Sequence, residues 1–519
     1  MTRLARLAQT SLETAATSAR LAKVRALADC LRALAGDEVE TAVAYLSGEL
    51  PQGRIGLGWA QLRDAGGGAP PAAEPSLEIG EVNARLSELA AIAGRGSAGQ
   101  RARTLDELFA RATAAERDFL LHLLAGELRQ GALGGVMLDA IAAAAGLPAA
   151  SVRRAAMYAP SLGAVASAAL AEGEAALARF QLELMAPVAP MLAQTAADPA
   201  DALARLGGPL AFEWKMDGAR IQLHKRGSEV RVFSRAQNEV TPALPEVVEL
   251  AHALPADELV LDGEVLAFAA HDRPEPFQVT MRRFGRKLDV ARARAELPLR
   301  VFFFDCLRLE GATFADRPLR ERFAALERVV GEPRRMPRLV TDSAEAAEAF
   351  YASALAAGHE GVMAKSLDAP YEAGNRGAAW LKIKRAHTLD LVVLAAEWGH
   401  GRRTGKLSNL HLGALDPATG EWVMLGKTFK GLTDAMLEAQ TRELLAREVR
   451  REHGTVYVRP ELVVEIAFSD LQESPRYPGK LALRLARVKR YRDDKSVAEA
   501  DTMDAVRRIF ADQGGAPRV

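Results

Sequence analysis

Two prolines divide this chain. Pro187 and Pro190, in "APVAPMLAQ" (Ala186–Gln194), end a long stretch of helix-patterned sequence. Proline lacks a backbone donor and clashes inside a helix, so a pair of prolines stops a helical array and favours an extended connection. Before the break the sequence is rich in Ala and Leu at helical spacing, as in "SARLAKVRALADCLRALAG", "LSELAAIAG", "LDELFARATAAERDFLLHLLAGEL" and "GVMLDAIAAAAG". Turn formers separate these runs, including the long loop "DAGGGAPPAAEPS" (residues 64–76). After the break, short β-type runs such as "VRVFS", "ELVLDGEVLAF", "LRVFFFDCLRL", "EGVMAKSL" and "AWLKIKR" alternate with helical ones such as "PLRERFAALERVV" and "AEAAEAFYASALAAG". Beyond Thr388 the strand-type runs continue with turn residues between them, which suggests a small β-barrel. The expected architecture is an all-α domain over 1–190, an α+β domain over 191–388 and a β-barrel of OB type over 389–519.

The totals fit three domains. At 519 residues the chain is several times the ~150-residue domain prior. Formal net charge is zero, so global charge neither suggests nor excludes a nucleic-acid partner, and local charge decides. Cys30 and Cys306 cannot build a four-cysteine zinc site or a disulfide framework, and a reducing cytoplasm fits. The first twenty residues form an amphipathic helical pattern without the apolar core of a signal peptide. No run of ~20 apolar residues exists to span a membrane.

Three tempting motifs fail on context. "GRGSAG" (Gly94–Gly99) follows a helical pattern, whereas a dinucleotide loop must follow a strand. "GKT" at Gly426–Thr428 needs a glycine at 421, where Glu421 stands. His359 has no second histidine at ligand spacing and reads as a turn or packing residue.

The middle region carries a different signal. "EWKMDGAR" (Glu213–Arg220) places a lysine, an aspartate, a glycine and an arginine between strand-like flanks. "FSRAQNEVT" adds Ser234 and Arg235, and "ELVLDGEVLAF" adds Asp262 and Glu264 on an otherwise apolar strand. "VFFFDCLRL" sets Phe304 beside Asp305, "GHEGVMAKS" adds Glu360 and Lys365, and "NRGAAWLKIKR" adds Arg376, Lys382 and Lys384. Each alone reads as a turn, a strand-end ion pair or a solvated face. Together, lysines and carboxylates from separate strands suggest a pocket for phosphates and a metal. Lys382 and Lys384 alternate, so both point to one face. The tail from Arg476 to Lys495 has eight basic residues and two acidic ones, which reads as a solvated basic face or as a phosphate contact.

The order of these motifs resembles the ATP-dependent DNA ligases, within the covalent nucleotidyltransferases. The resemblance covers essentially the whole chain. "ELVVEIAFSDLQESPRYPGKLALRLARVKRYRDDKSVAEADT" is similar to the end of the ligase OB domain, with "RDDK" (Arg492–Lys495) as its last motif. "LLAGELRQGALGG" (Leu123–Gly135) resembles the glycine-containing turn of a helical DNA-binding domain. Asn375 stands where arginine is common, and Leu485 and Ala486 where Phe-Pro is more usual.

The resemblance implies an enzyme that seals 5′-phosphate/3′-hydroxyl nicks in duplex DNA. ATP is the co-substrate, Mg²⁺ (or Mn²⁺) the metal, and nicked double-stranded DNA the partner. It also implies a monomer in the cytoplasm, associated with the nucleoid of a prokaryote. Hydroxide is a very poor leaving group from phosphate, so a covalent carrier splits the reaction into easier displacements. Lys215 takes the role of nucleophile. A free lysine, at pKa ~10.4, is almost all ammonium at neutral pH, and neighbouring cations with partial desolvation favour the amine. Glu213 is suited to read the adenine amino group, and Phe304 offers a flat face for the base or is simply a core residue. Glu264 is suited to the ribose or to metal. Arg220, Lys382 and Lys384 are suited to phosphate, and Arg235 and Arg376 to ribose or phosphate. Asp262 and Glu360 are candidates for the metal shell. Arg492 and Lys495 are expected to contact the β,γ-phosphates, with Gly218 permitting close backbone approach. A capping guanylyltransferase lacks a reason for the helical front, and the front and tail motifs fit an RNA ligase less well. A DNA clamp with a decayed pocket is disfavoured by intact Lys215, Glu264 and Lys384. An NAD-dependent ligase lacks its four cysteines here.

Overall fold

The computed structural model describes residues 1–512 apart from 54, 59–60, 63–64, 66–67, 95, 129, 131–133, 270–272, 287–288, 375–376, 386 and 401–402. The described residues of the N-terminal region form helices joined by loops. Its helices include Leu4–Ala15, Arg20–Arg32, Val39–Leu46, Ile79–Ala91, Ser97–Ala110, Ala114–Leu124, Gly134–Ala145, Ala149–Tyr158 and Leu162–Glu172. One apolar core joins them, with Leu7, Leu31, Tyr45, Leu86, Phe109, Leu120, Ile141 and Val165 all buried. The stretch "LDELFARATAAERDFLL" is two helices rather than one. Thr113 makes the break. Its side chain accepts from Glu116 N, and the Glu116 carboxylate accepts from Thr113 N at 2.9 Å, so each satisfies a donor that a helix start leaves open. Four residues of the glycine-containing turn, 129 and 131–133, lie outside the described residues.

Among the described residues the middle region is built on ten strands. They are Gln194–Thr195 (β1), Leu210–Lys215 (β2), Ala219–Arg226 (β3), Glu229–Ser234 (β4), Glu258–Ala267 (β5), Leu299–Leu309 (β6), Ala312–Thr313 (β7), Arg338–Thr341 (β8), Gly361–Ser366 (β9) and Trp380–Lys384 (β10). They form two sheets, ordered β1-β10-β9-β2-β8 and β4-β3-β5-β6-β7. Helices Pro245–Ala253, Leu319–Val329 and Ala344–Ala356 cover their outer faces, which carry the apolar alternates. The facing surfaces carry the charged residues. Where β2 ends, Gly218 passes so close to β5 that a Cβ there would strike the Val265 carbonyl. The glycine thus lets β2 hand over to β3 in the second sheet.

The C-terminal region is dominated by one curved sheet. Its strands are His387–Trp398 (β11), Leu407–Asp416 (β12), Glu421–Thr428 (β13), Glu448–Glu452 (β14), Thr455–Val458 (β15), Val463–Phe468 (β16) and Arg487–Tyr491 (β19). Asp470–Glu473 (β17) and Leu481–Arg484 (β18) form a separate hairpin. The long β11 pairs with β16 along its first half and with β12 and β15 along its second. Bulges at Val393/Ala395 and Glu397/Trp398 bend it, and the sheet becomes a half-barrel. Pro460 explains why "VYVRPELVVEIAF" is two strands, since it cannot donate to a ladder. Two helices, Asp434–Ala446 and Met503–Asp512, also belong here, where the sequence suggests strands alone. Among the described residues no helix is long and apolar enough to cross a membrane.

Candidate active site

Register places the charged residues in rows. On the first sheet Lys215 lies opposite Gly361, and Gly361 opposite Lys384. The next row is Glu213, Met363 and Lys382, and the third is Ala211, Lys365 and Trp380. All share one face, because alternate residues of a strand do. On the second sheet Arg220 lies opposite Glu264, which lies opposite Phe302; Gln222, Asp262 and Asp305 form the adjacent row. A register shift between Asp262 and Gly263 leaves Phe304 as the extra residue. The two faces meet. The Lys365 ammonium is 4.6 Å from the Phe304 ring centre, and the Arg220 guanidinium is 5.8 Å from that of Trp380.

Lys215 ends β2 at the mouth of this cleft. Its Nζ is 2.5 Å from Glu360 Oε2, and Lys384 Nζ is 2.8 Å from the same oxygen. Burial pushes the Glu360 carboxyl up, but the charges of Lys215 and Lys384 outweigh it and hold it at about 2. Asp217 is pushed up by burial, against the pull of Arg484. Arg484 comes from β18, and its guanidinium grips both Asp217 oxygens, one through Nη2 at 3.1 Å, while Nη1 also reaches Asp470 at 3.3 Å. Asp217, Glu360 and Asp470 each offer an oxygen within 4.8 Å of the others. Glu264, also expected among the metal ligands, is not part of that group.

Burial raises Glu264 to about 7, with Lys215 and Arg220 opposing the rise. The folded state therefore keeps a proton that the unfolded chain loses near its ordinary 4.5. The unfolded state binds fewer protons across this window, so this group's contribution to stability declines as pH rises from about 4.5 to 7. Glu264→Gln should flatten that part of the melting-temperature profile, measured from pH 4.5 to 8 beside wild type. An unchanged slope would remove Glu264 as its source.

The other expected residues distribute unevenly. Lys382 lies between Lys384 and Trp380 on the cleft face. Glu213 is buried, with Arg338 Nε at 3.0 Å and Lys365 as its second cation. Phe304 is 7% exposed and packs edge-on against Trp380, 6.2 Å between centres. Arg220 is committed to a network: Asp262 at 2.7 Å, the Tyr371 hydroxyl at 3.0 Å and the Met191 carbonyl at 2.7 Å. Through Met191 it fastens the proline-marked linker to the sheet. Arg235 is exposed in the turn after β4. Arg376, like Asn375, lies outside the described residues. Arg492 and Lys495 are not at the cleft; both reach Asp390, at 2.7 and 2.6 Å. Sequence reasoning missed Arg484 and Asp470. Their only signal was a place in the basic tail and at the turn "FSDL".

A lysine between two facing sheets, with cations and carboxylates around it and a mostly β region beyond, is the arrangement of a covalent nucleotidyltransferase. Family models narrow this. "ATP dependent DNA ligase domain" matches residues 190–384, "ATP dependent DNA ligase C terminal region" 403–495, and "DNA ligase N terminus" 65–142. A "Probable DNA ligase" of Anaeromyxobacter sp. (strain K) is 62% identical, over 98% of this chain and 99% of its own. One from Sorangium cellulosum (strain So ce56) is 56% identical, over 97% and 95%. The solved structure "Pmar-Lig_Pre." shares the fold, with a TM-score of 0.62 at 17% identity, over 94% of this chain and 99% of its own. The chain belongs to the ATP-dependent DNA ligases, enzymes that use ATP to seal 5′-phosphate/3′-hydroxyl nicks in duplex DNA.

Proposed function

We propose that Lys215 is the nucleophile of this ligase. Its Nζ attacks the α-phosphorus of ATP. An N–P bond forms, the bond to the bridging oxygen breaks, pyrophosphate leaves and the amine proton passes to solvent. AMP then moves to the 5′-phosphate of the nick, and the 3′-hydroxyl displaces it. The observation that carries this reading is the position of Lys215 Nζ at the cleft mouth, sharing Glu360 with Lys384. Attack requires the Lys215–Glu360 contact to open. Lys382 and Lys384 then offset charge on phosphorus. Glu213 and Phe304 serve the base, Glu264 the ribose hydroxyl, and Arg235 and Arg376 the ribose or phosphates. Arg220 acts from beneath, by holding Asp262 and the linker. Incubation with labelled ATP and Mg²⁺ should leave label on Lys215 after denaturation, and label elsewhere or none would overturn the assignment.

An all-carboxylate oxygen set suits a hard divalent cation. Glu360 with Asp217 and Asp470 would hold Mg²⁺ or Mn²⁺, and the elevated Asp217 carboxyl favours a cation beside it. The metal would offset charge on the phosphates. We read the domains as a helical DNA-binding unit to near residue 190, an adenylation domain to near 388 and an OB domain beyond. The half-barrel pairing of β11 supports the last of these. We further read the enzyme as a monomer of the cytoplasm, acting at the nucleoid.

Nick binding should weaken steeply with salt, because basic residues of the tail and the helical unit would contact phosphates. Deleting residues 1–185 should weaken nick binding most. Adenylylation should fall less, though not to zero effect, because Met157, Tyr158, Leu182 and Leu184 pack with Phe304 and Trp380 in one core. Gel-shift titration and adduct formation on the same truncated protein separate the two. Equal losses would count against a separate DNA-binding role.

A further inference from the structure

Asp390 is the node where the C-terminal region begins and ends. It lies in β11, six residues after Lys384, so the chain between them spans at most ~20 Å. The residue is buried, at 7% exposure. One oxygen accepts Arg492 Nη1 at 2.7 Å and Lys495 Nζ at 2.6 Å. The other oxygen is buried without a hydrogen-bond partner among the described residues. Its backbone is pinned as well: Asp390 N donates to Asp501 Oδ2 at 2.8 Å, and Asp501 N to Asp390 O at 2.9 Å. Arg492 also gives Nε and Nη2 to Asp494, 2.8 and 2.7 Å away, so three of its five N–H donors are engaged in these bonds.

Two cationic heads on one oxygen are close neighbours, and like charges that close repel. Without the shared carboxylate they would separate. With it, a guanidinium and an ammonium stand side by side, the pairing a polyphosphate needs. A buried carboxylate that keeps only cations for company is also costly unless it serves them. Asp390 sits close to the connection from β10 to β11, so a rotation there would carry the pair as one body. That rotation would also break the Arg484–Asp217 contact and draw Asp470 from the other two carboxylates, since Arg484 and Asp470 belong to the same region, and it would leave Asp217 and Glu360 to hold a cation in the first step.

We propose that Asp390 is a positioning residue for the first step: it holds Arg492 and Lys495 as a preset cation pair for the departing pyrophosphate. This rests on the reading that Arg492 and Lys495 engage the β,γ-phosphates. Asparagine at 390 keeps the shape but loses the charge and turns an N–H donor toward cations.

The test measures three quantities on the full-length enzyme. They are the KM for ATP in self-adenylylation, the KM for pyrophosphate when enzyme–AMP is converted back to ATP, and the sealing rate of a nick already carrying AMP. Asp390→Asn should raise both KM values about tenfold or more, the effect of one lost charged contact, and leave sealing within about threefold. Asp501→Asn disturbs the same backbone node while leaving the carboxylate on the cations, and should shift neither KM beyond about twofold. Equal behaviour of the two variants, unchanged KM values in Asp390→Asn, or sealing that falls as far as adenylylation would each overturn the proposal. Should Asp390→Asn not fold, Asp390→Glu keeps the charge one methylene out of place. A raised KM for pyrophosphate at normal melting temperature then supports the proposal, and an unchanged one overturns it. If Arg492→Ala leaves both KM values unaltered, the pyrophosphate reading itself fails and takes this proposal with it. If Arg492→Ala raises them and Asp390→Asn does not, only the proposal fails.

Discussion

Lys215→Ala is expected to form no enzyme–AMP adduct and to seal no ordinary nick supplied with ATP. The loss should reach about 10⁴-fold or more, because deleting a covalent nucleophile removes a step rather than weakening one. Lys384 shares the Glu360 oxygen but starts on β10, two strands from β2 with Gly361 of β9 between them, so it does not take the place of Lys215. A nick that already bears AMP on its 5′-phosphate needs no lysine nucleophile, so the variant should retain some sealing there. That rate should still fall if Lys215 contacts phosphate in the last step. Gel assays of adduct, ordinary nick and pre-adenylylated nick on one preparation give the full pattern. ATP-dependent sealing at wild-type rate would refute the mechanism. Robust GMP transfer to RNA ends, with no nick sealed by wild type, would move the protein to the capping class.

Arg484→Ala should separate the steps in the opposite sense. Arg484 bridges from β18 to Asp217, 267 residues earlier in the chain, and reaches Asp470 as well. It also lies 4.6 Å over the Phe277 ring, so one side chain joins the C-terminal hairpin to both the lysine loop and a helix of the middle region. Removing it leaves Asp217 and Asp470 facing each other without their shared cation, and the hairpin loses a polar tie to the cleft. Nick sealing should fall about 10²-fold, the order expected when one partner of a partly buried ion pair is deleted. Adenylylation should change by less than about tenfold, because Lys215, Lys382 and Lys384, the residues proposed for the α-phosphate, lie on β2 and β10, whereas Arg484 bonds to Asp217 and Asp470. Equal loss in both assays would mean that Arg484 serves the pocket rather than this docked arrangement.

Much of the architecture is legible because it is local. Helical period and the proline break mark the front, and β-type runs mark most of the strands. The Thr113–Glu116 spacing is a capping signal that the longer apolar period of "LDELFARATAAERDFLL" conceals. Helix Asp434–Ala446 was hidden in the same way, by strand-like runs on both sides. The sequence shows Asp305 as a charge inside an apolar strand, beside Phe304, and gives it no role of its own. In the structure it is a fully buried partner of Arg322, with Nε at 2.7 Å, so its role is to balance a charge within the core. A strand pattern registers that a charge is present but not what it faces. Gly218 illustrates the same limit. The sequence suggests room for a ligand, and the structure fills that room with the Val265 carbonyl.

By itself the sequence determined the three textures and the order of the motifs, with Lys215 as the candidate nucleophile, because these depend on residue type and short spacing. Period-2 alternation also put Lys382 and Lys384 on one face before any sheet was known. Only the tertiary structure decided which faces meet. It brought Glu264 and Arg220 across from Lys215, gave Glu213 two buried cations, and carried Asp470 and Arg484 from the C-terminal hairpin to Asp217. It also set Arg492 and Lys495 on Asp390 rather than in the cleft. The physical reason is range. A strand or a cap is encoded within a few residues, whereas a charge finds its partner through sheet register and domain docking, which no local pattern specifies.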